Sequence, residues 1–269
     1  MKILSRTYMW VVFALLYAPI LVLVVFSFNE GGSLSNYTGF SLRWYGELFR
    51  DRVALQSLKN SLILALSSAA IATVLGTFAA LGLDRMRNRA VKTALTSVTN
   101  IPMMNPDIVT GVSMMLLFVA LAGILGLQNV LGRWTMLIAH VTFSLPYVIL
   151  SVLPRFRQFD NTLREAALDL GCTPARSFFT VELPSILPGI ISGFVMGFTL
   201  SLDDFVISHF VSSPDFQTLP LYIYNQTAHD VKYSMYALCT LIIVAILVLL
   251  LAVNFAGGIG KGKRKEGAK

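Results

Sequence analysis

Long uncharged apolar segments recur along the chain, separated by polar stretches. Five segments contain no Asp, Glu, Lys or Arg, and a sixth, 184–211, is interrupted only by Asp203 and Asp204. About 20 apolar residues in an α-helix cross a hydrocarbon core of about 30 Å. The pattern therefore predicts an all-α integral membrane protein with about six transmembrane helices. The uncharged segments are 7–29, 62–83, 108–132, 134–154 and 233–260.

These helices are expected to form a single transmembrane domain that covers residues 1–269. The first apolar segment is longer than the roughly 7–15 residues of a signal-peptide core, and no small-x-small cleavage site follows it. We therefore expect it to remain as the first span. The predicted spans are about 8–28, 60–83, 107–125, 135–153, 187–210 and 233–256.

Composition and charge distribution agree with a membrane location. Hydrophobic residues make up 55% of the chain and charged residues 13%, against about 25% charged residues in soluble domains. Of the 21 Lys and Arg residues, fifteen fall on the side of the predicted termini and six on the other. The positive-inside rule then predicts that both termini are cytoplasmic. The basic residues after the last span are interpreted as charges that keep this end of the last helix on the cytoplasmic side, and no role in nucleic-acid binding is assigned to them.

A cytoplasmic stretch at 155–186 has the signals of a folded loop. Residues 162–165 (Thr-Leu-Arg-Glu) match a capping box, and Gly171 suits the left-handed position that ends a helix. Thr173-Pro174 restarts a helix, and Leu183-Pro184 is expected to end it before the fifth span. The stretch is predicted to form two short helices joined at a glycine. A folded loop of this length is usually functional, which suggests a docking surface.

The same stretch resembles the EAA loop of ATP-binding-cassette importer permeases. The matching elements are Glu-Ala-Ala at 165–167, Gly171, and Val181-x-Leu183-Pro184, where the family most often has Ile at the position of Val181. In that family the loop couples the permease to a cytoplasmic ATPase. The resemblance implies that role for Glu165, Ala166, Ala167, Asp169, Gly171, Leu183 and Pro184.

Shorter motifs extend the resemblance over nearly the whole chain. In this order they are similar to the spermidine/putrescine importer permeases, in particular the second permease subunit of those systems. The motifs are Tyr-Ala-Pro at 17–19, Ser-Phe-Asn at 27–29, Trp-Tyr at 44–45, Asn-Pro-Asp-Ile-Val at 105–109, His-Val-Thr-Phe at 140–143, and Phe-Thr-Leu-Ser-Leu-Asp-Asp at 198–204.

This resemblance implies a type I ABC importer permease fold in a bacterial inner membrane. It also implies a heterodimer with a second permease subunit, an ABC ATPase dimer and an extracytoplasmic polyamine-binding protein. The chain would form half of the pathway for spermidine or putrescine. It would hold no cofactor itself, because ATP and Mg would be bound by the partner ATPase.

Asp203 and Asp204 are the candidate pathway residues with the clearest physical basis. They lie about 22 Å along the helix from Pro188, within an apolar span. A carboxylate there costs at least about 2.5 kcal/mol unless it faces a water-filled cavity or a partner. Adjacent helical positions point about 100° apart, so we expect one to face the pathway and the other to cap or pair with a neighbouring helix. The alternative is that both are structural, at a helix break.

Four further residues are weaker candidates. Asp107 begins the third predicted span. Its carboxylate either caps a cytoplasmic helix start, where the helix dipole favours a negative charge, or lines the inner end of the pathway. Tyr222 and Tyr224 could stack on a cation in an outer cavity, or be interfacial aromatics. His140 is interpreted as a hydrogen-bonding packing residue, with a proton relay as the alternative.

Other function classes fit less well. Residues 257–263 have the spacing of a phosphate-binding loop, but Arg264 follows them in place of the Ser or Thr of that motif, and no strand precedes them. The segment is therefore interpreted as a basic tail, and no catalytic residue is assigned. The three histidines lie in different segments without the spacing of metal ligands, and no metal site is predicted. A secondary transporter would show inverted repeats and broken helices, which the pattern lacks. Within the importer class, an opine, a phosphonate or ferric iron remains an alternative solute.

Overall fold

The computed structural model describes residues 2–31, 36–228, 232–245 and 247–248, and this part of the chain is almost entirely helical. The helices are α1 (Lys2–Phe26), α2 (Arg43–Arg50), α3 (Arg52–Arg85), α4 (Arg89–Met104), α5 (Asp107–Leu125), α6 (Arg133–Gln158), α7 (Asn161–Asp169), α8 (Pro174–Ser177), a π-helical turn (Phe178–Glu182), α9 (Leu183–Asp203), α10 (Val206–Val211), α11 (Leu219–Thr227) and α12 (Ser234–Ala245).

Five helical segments in the described residues are long and apolar enough to cross a membrane. They correspond to the first five predicted spans and are Arg6–Phe26, Arg52–Arg85, Asp107–Leu125, Arg133–Gln158 and Pro174–Asp203. The predicted sixth span begins with α12, and the remainder of that span lies outside the described residues, as does the basic tail. The predicted all-α membrane fold is confirmed for the described part of the chain.

The chain divides into two compact units, one of residues 1–55 and 223–269 and the other of residues 56–222. In the first unit, the segment between α1 and α2 is held by polar side chains. The amide of Asn29 donates to the Asn36 carbonyl at 2.9 Å and accepts from the Thr38 backbone N–H at 2.8 Å. The indole of Trp44 donates to the Asn29 carbonyl at 2.6 Å. The Trp-Tyr motif at 44–45 lies in the short helix α2.

The core of the second unit is built from α3, α6 and α9. Small residues allow these helices to approach closely, and Val148 of α6 fills the space that they leave. A Cβ atom added at Gly76 would lie 2.6 Å from Val148 Cγ1, and one at Gly193 would lie 3.2 Å from the same atom. Gly193 and Gly197 of α9 therefore pack against α6.

The region before the third span contains a helix that the sequence pattern did not predict. α4 covers 16 residues, contains Pro102 and ends at Met104. At 1.5 Å per residue it places about 24 Å of helix between the basic residues near Arg89 and Asp107. Asp107 begins α5 as predicted, and α4 lies between it and the basic residues near Arg89.

The predicted helix end at Leu183-Pro184 is wrong. α8, the π-helical turn and α9 follow one another without interruption, as one helical segment Pro174–Asp203 of 30 residues. The Leu183 N–H donates to the Phe178 carbonyl, five residues earlier, instead of four. A π-turn is wider than an α-helical turn. Here it ends at Glu182, two residues before Pro184, which has no N–H to donate.

The fifth predicted span, 187–210, is interrupted. α9 ends at Asp203, Asp204 has an extended backbone with φ −66° and ψ 120°, and α10 begins at Val206. α10 is buried against α3, α5 and α6, where Ile207 and Val211 contact a cluster of apolar side chains. The break occurs at the acidic pair.

Candidate functional site

The first helix of the cytoplasmic loop, α7, begins with an aspartate cap. The Asp160 carboxylate accepts from the Thr162 backbone N–H at 3.0 Å and from the Thr162 hydroxyl at 2.8 Å. The predicted capping box on Thr162 is therefore wrong, because the cap lies two residues earlier. The hydrogen bond from the Thr162 side chain, helped by the one from its backbone, holds the pKa of Asp160 below its ordinary value.

The predicted glycine corner of the loop is confirmed. Gly171 has φ +87°, a left-handed conformation that glycine adopts without a steric cost. The N–H groups of Gly171 and Cys172 donate to the carbonyls of Leu168 and Ala167, at 2.9 and 3.0 Å, in the Schellman pattern. The Thr173 hydroxyl then caps α8, with proline at the first helical position.

The structure divides the predicted coupling residues of α7 into two groups. Glu165, Ala166 and Asp169 are exposed, whereas Ala167 is buried against the protein itself. Leu170, at the tip of the loop beside the exposed Gly171, is 86% exposed. Leu170 was not among the coupling residues identified from the sequence, although a leucine directly before the corner glycine was a usable signal. The outward surface of the loop is thus acidic along α7 and apolar at its tip.

The remaining coupling candidates lie at the base of the loop. Leu183 is half-buried and Pro184 is exposed, both in the first turn of α9. Glu182 next to them was not predicted as a site residue, yet its side chain is only 4% exposed. One terminal nitrogen of Arg85, at the end of α3, donates to both Glu182 carboxylate oxygens at 2.8 and 2.9 Å. This ion pair ties the base of the loop to the second predicted span.

The acidic pair at the helix break has one buried and one exposed member. The Asp204 side chain is 6% exposed, and its carboxylate accepts from the backbone N–H groups of Ile207 and Ser208 at 3.2 and 2.8 Å. Asp204 thus caps α10, satisfying N–H groups that have no partner within the helix. Asp203 is exposed at the end of α9.

A chain of buried side chains surrounds Asp204. Nδ1 of His140 lies 2.7 Å from Ser201 Oγ, and Nε2 lies 3.1 Å from Ser208 Oγ and 3.4 Å from an Asp204 carboxylate oxygen. The Ser68 hydroxyl donates to Ser201 at 2.9 Å. The interpretation of His140 as a hydrogen-bonding packing residue agrees with these contacts, which link α3, α6, α9 and α10.

Asp107 lies one helical turn before the part of α5 that touches α10. A Cβ atom added at Gly111 would be 2.9 Å from Phe210 and 3.4 Å from the Ile207 Cα, so the two helices are in close contact there. Asp107 itself is exposed, in the first turn of α5. Asp107 and Asp203 therefore both adjoin elements that pack on or lead into α10.

The two candidate tyrosines differ in exposure. Both belong to α11, where Tyr222 is 2% exposed and Tyr224 is 47% exposed. A ring must present its face to a cation for the proposed stacking, and of the two only Tyr224 offers an exposed side chain. The structure therefore brings Asp204 into a buried network and leaves Asp107, Asp203 and Tyr224 accessible.

Residues 72–257 match the protein family described as "Binding-protein-dependent transport system inner membrane component". The chain is 43% identical over 234 residues to the "Putrescine transport system permease protein PotI" of Escherichia coli (strain K12), covering 87% of this chain and 83% of that protein. It is 38% identical over 251 residues to the "Spermidine/putrescine transport system permease protein PotC" of the same strain, covering 93% and 92%.

Solved structures share the fold at low sequence identity. One is the crystal structure of a bacterial ABC transporter involved in the import of the acidic polysaccharide alginate, with a TM-score of 0.74, 16% identity, and coverage of 96% of this chain and 94% of that chain. Another is the MetNI methionine ABC transporter, with a TM-score of 0.56, 19% identity, and coverage of 81% and 96%. The chain therefore belongs to the family of inner membrane components of binding-protein-dependent transport systems, with the fold of an ABC importer permease.

Proposed function

We propose that this protein is a permease subunit of an ABC importer and forms half of the transmembrane pathway for a polyamine, spermidine or putrescine. The observation that carries the proposal is the 43% identity to a putrescine permease over 87% of the chain. Identity at this level over nearly the whole length extends beyond the loops to the membrane-spanning segments.

The proposed complex contains this chain, a second permease subunit, an ABC ATPase dimer and an extracytoplasmic polyamine-binding protein. ATP and Mg are bound and ATP is hydrolysed by the ATPase, so this chain is a non-catalytic subunit without a cofactor of its own. It lies in a bacterial inner membrane with both termini cytoplasmic, in agreement with the excess of Lys and Arg on that side.

The ATPase is proposed to dock on the outward surface of α7 and the tip of the loop. An exposed leucine at a loop tip is unfavourable in water and gains free energy when a partner covers it. Leu170 supplies that apolar contact, while Glu165, Ala166 and Asp169 surround it on α7. Gly171 turns the chain there, and the exposed Pro184 and half-buried Leu183 lie where the loop joins α9.

The solute is proposed to pass the exposed acidic residues near the helix break. A polyamine carries two or more positive charges, and a carboxylate in a partly hydrated pathway attracts it by Coulomb interaction. Asp203 is exposed at the end of α9, directly before the break that leads to α10, and Asp107 is exposed one turn before the part of α5 that touches α10. Tyr224 offers an exposed ring. Asp204 is assigned to the cap and not to solute contact.

The test is uptake of labelled putrescine and spermidine into vesicles that contain this subunit, its partner permease, the ATPase and the binding protein. ATP-dependent accumulation that is lost without this chain supports the proposal. A complex that assembles and hydrolyses ATP but accumulates neither solute contradicts the polyamine assignment, and opines, phosphonates and ferric iron are then tested in the same vesicles. Accumulation that follows an ion gradient without ATP contradicts the importer mechanism.

A substitution tests the acidic pathway within the same assay. Asp203→Asn is expected to raise KM for putrescine by about tenfold, equivalent to ~1.4 kcal/mol, because the variant loses one attractive charge. Asp84→Asn, at the other end of the membrane region in α3, serves as the matched control and is expected to leave KM unchanged. An unchanged KM in an assembled Asp203→Asn complex removes Asp203 from the pathway.

A further inference from the structure

The side chains around His140 form a continuous series of polar contacts. Ser68 Oγ lies 2.9 Å from Ser201 Oγ and 3.2 Å from the Ala65 carbonyl, and Ser201 Oγ lies 2.7 Å from Nδ1 of His140. A neutral imidazole with an accepting Nδ1 carries its proton on Nε2. That nitrogen faces Ser208 at 3.1 Å and the Asp204 carboxylate at 3.4 Å.

The network lies where an unpaired polar group would be costly. His140 is 1% exposed, and Ser68, Ser201 and Ser208 are 0%, 3% and 0% exposed. Buried polar groups are retained when each has a partner, and removing one partner leaves the other unsatisfied. The side chains come from α3, α6, α9 and α10, so the chain of contacts crosses from the central helices to both sides of the helix break.

The helix break depends on where the Asp204 carboxylate is held. Its two oxygens accept from the first N–H groups of α10, and Nε2 of His140 lies against the same carboxylate. Asp203 is the last residue of α9 and directly precedes Asp204, and Ser201, which contacts His140, lies two residues earlier on the same helix. The network therefore holds the chain on both sides of Asp203.

We propose that His140 is a positioning residue for solute passage. Through Asp204 and Ser208 it fixes the geometry of the break between α9 and α10, and thereby holds the Asp203 carboxylate toward the accessible side. This inference rests on the proposed function, in which Asp203 meets the cationic solute. A purely structural histidine would affect assembly and stability without altering the accessibility of residue 203 or the KM of uptake.

The two nitrogens of His140 can be replaced separately. The amide of asparagine reaches the position of Nδ1 and keeps the Ser201 contact, whereas the longer glutamine reaches the position of Nε2 and keeps the contacts to Ser208 and Asp204. Thr142→Val is the matched control, because Thr142 lies on the same helix, is exposed, and donates its hydroxyl to the Ile138 carbonyl of that helix.

Accessibility is measured on the full complex by thiol modification. Cys172 and Cys239 are replaced by serine, Asp203→Cys is introduced, and the rate of reaction with a small quaternary-ammonium methanethiosulfonate is followed in each His140 background. This reading does not depend on which solute the complex transports. Uptake of putrescine is measured in parallel in variants that keep Asp203, and KM and Vmax are determined separately.

His140→Asn is expected to change the modification rate and the putrescine KM by about tenfold each, the size expected when a buried polar group loses its partner, with a smaller effect on Vmax. His140→Gln and Thr142→Val are expected to stay within about twofold of the parent protein. If His140→Asn does not assemble, Ser208→Ala replaces it, because that variant removes one contact of Nε2 and leaves the ring in place.

The proposal is overturned if the assembled His140→Asn or Ser208→Ala complex reacts at the parent rate and keeps the parent KM. It is also overturned if asparagine restores the parent values and glutamine does not. A changed modification rate in a complex that accumulates no polyamine supports the positioning of residue 203 and contradicts the proposed solute, so the two failures are distinguishable.

Discussion

The ion pair between Arg85 and Glu182 joins the end of α3 to the base of the cytoplasmic loop, and its contribution to stability can be measured by a double-mutant cycle. Four proteins are compared: the parent, Arg85→Gln, Glu182→Gln and the double variant. Each single variant leaves one charge without its partner, whereas the double variant leaves none. The difference between the double variant and the sum of the single ones gives the coupling free energy.

The structure sets the expected magnitude. At about 4 Å between charge centres and an effective dielectric constant of about 20, the attraction is about 4 kcal/mol. The Glu182 side chain is 4% exposed and that of Arg85 is 41% exposed. Burial of the carboxylate costs hydration, and water around Arg85 screens the attraction. We therefore expect a coupling energy of about 1–3 kcal/mol.

The chain offers an exposed ion pair as the control. Arg43 and Glu47 on α2 lie 2.9 Å apart with side chains 64% and 43% exposed, a type of pair that contributes about 0.3–0.5 kcal/mol. Both cycles are measured by equilibrium unfolding of the purified subunit in mixed detergent micelles with increasing SDS. A coupling energy for Arg85 and Glu182 no larger than that of the exposed pair would refute the reasoning from burial.

Three further predictions concern local geometry. Gly171→Ala is expected to destabilise the loop by about 1–2 kcal/mol, because φ +87° is unfavourable for a residue with a Cβ, and to lower substrate-stimulated ATPase activity. Gly76→Ala is expected to cost about 1–3 kcal/mol in the same unfolding assay, because its Cβ would lie 2.6 Å from Val148. Gly82→Ala is the control for both variants, because a Cβ atom added at Gly82 has no neighbouring atom within 4 Å. Equal stability of all three variants would contradict these expectations. The lowered pKa of Asp160 means that its cap stabilises α7 above the ordinary aspartate range and is lost as the pH falls through the lowered pKa. The hydrogen-exchange protection factors of α7, which are corrected for the pH dependence of intrinsic exchange, should therefore fall in acid in the parent protein but not in Asp160→Asn, and pH-independent protection in the parent would contradict the cap.

Local features of the cytoplasmic loop were predictable because their causes are local. Gly171 and the Thr173-Pro174 pair act within one or two residues of themselves, and the structure has the corner and the restart where the sequence indicates them. The capping box was misplaced because Asp160 competes with Thr162 for the same role two residues earlier. Pro184 did not end the helix because the preceding π-turn accommodates it.

The buried polar contacts were not predictable from local patterns. Arg85 and Glu182 are 97 positions apart, and Ser68 and Ser201 are 133 apart, so no periodicity or motif connects them. At the break, Asp204 lies against a histidine from another helix and caps α10, and both contacts form only in the folded chain. Sequence reasoning identified the acidic pair as unusual, and the assignment of one member to a cap required the structure.

The packing of Val148 between two glycines limits the substitutions that homologues can carry at these positions. Its side chain occupies the space left by Gly76 on α3 and by Gly193 on α9, so a single volume is shared by three helices. A methyl group gained at either glycine must be matched by one lost at position 148, because interiors at this density have no spare room. Among homologues, the residues at these three positions should therefore vary together, with their summed side-chain volume nearly constant.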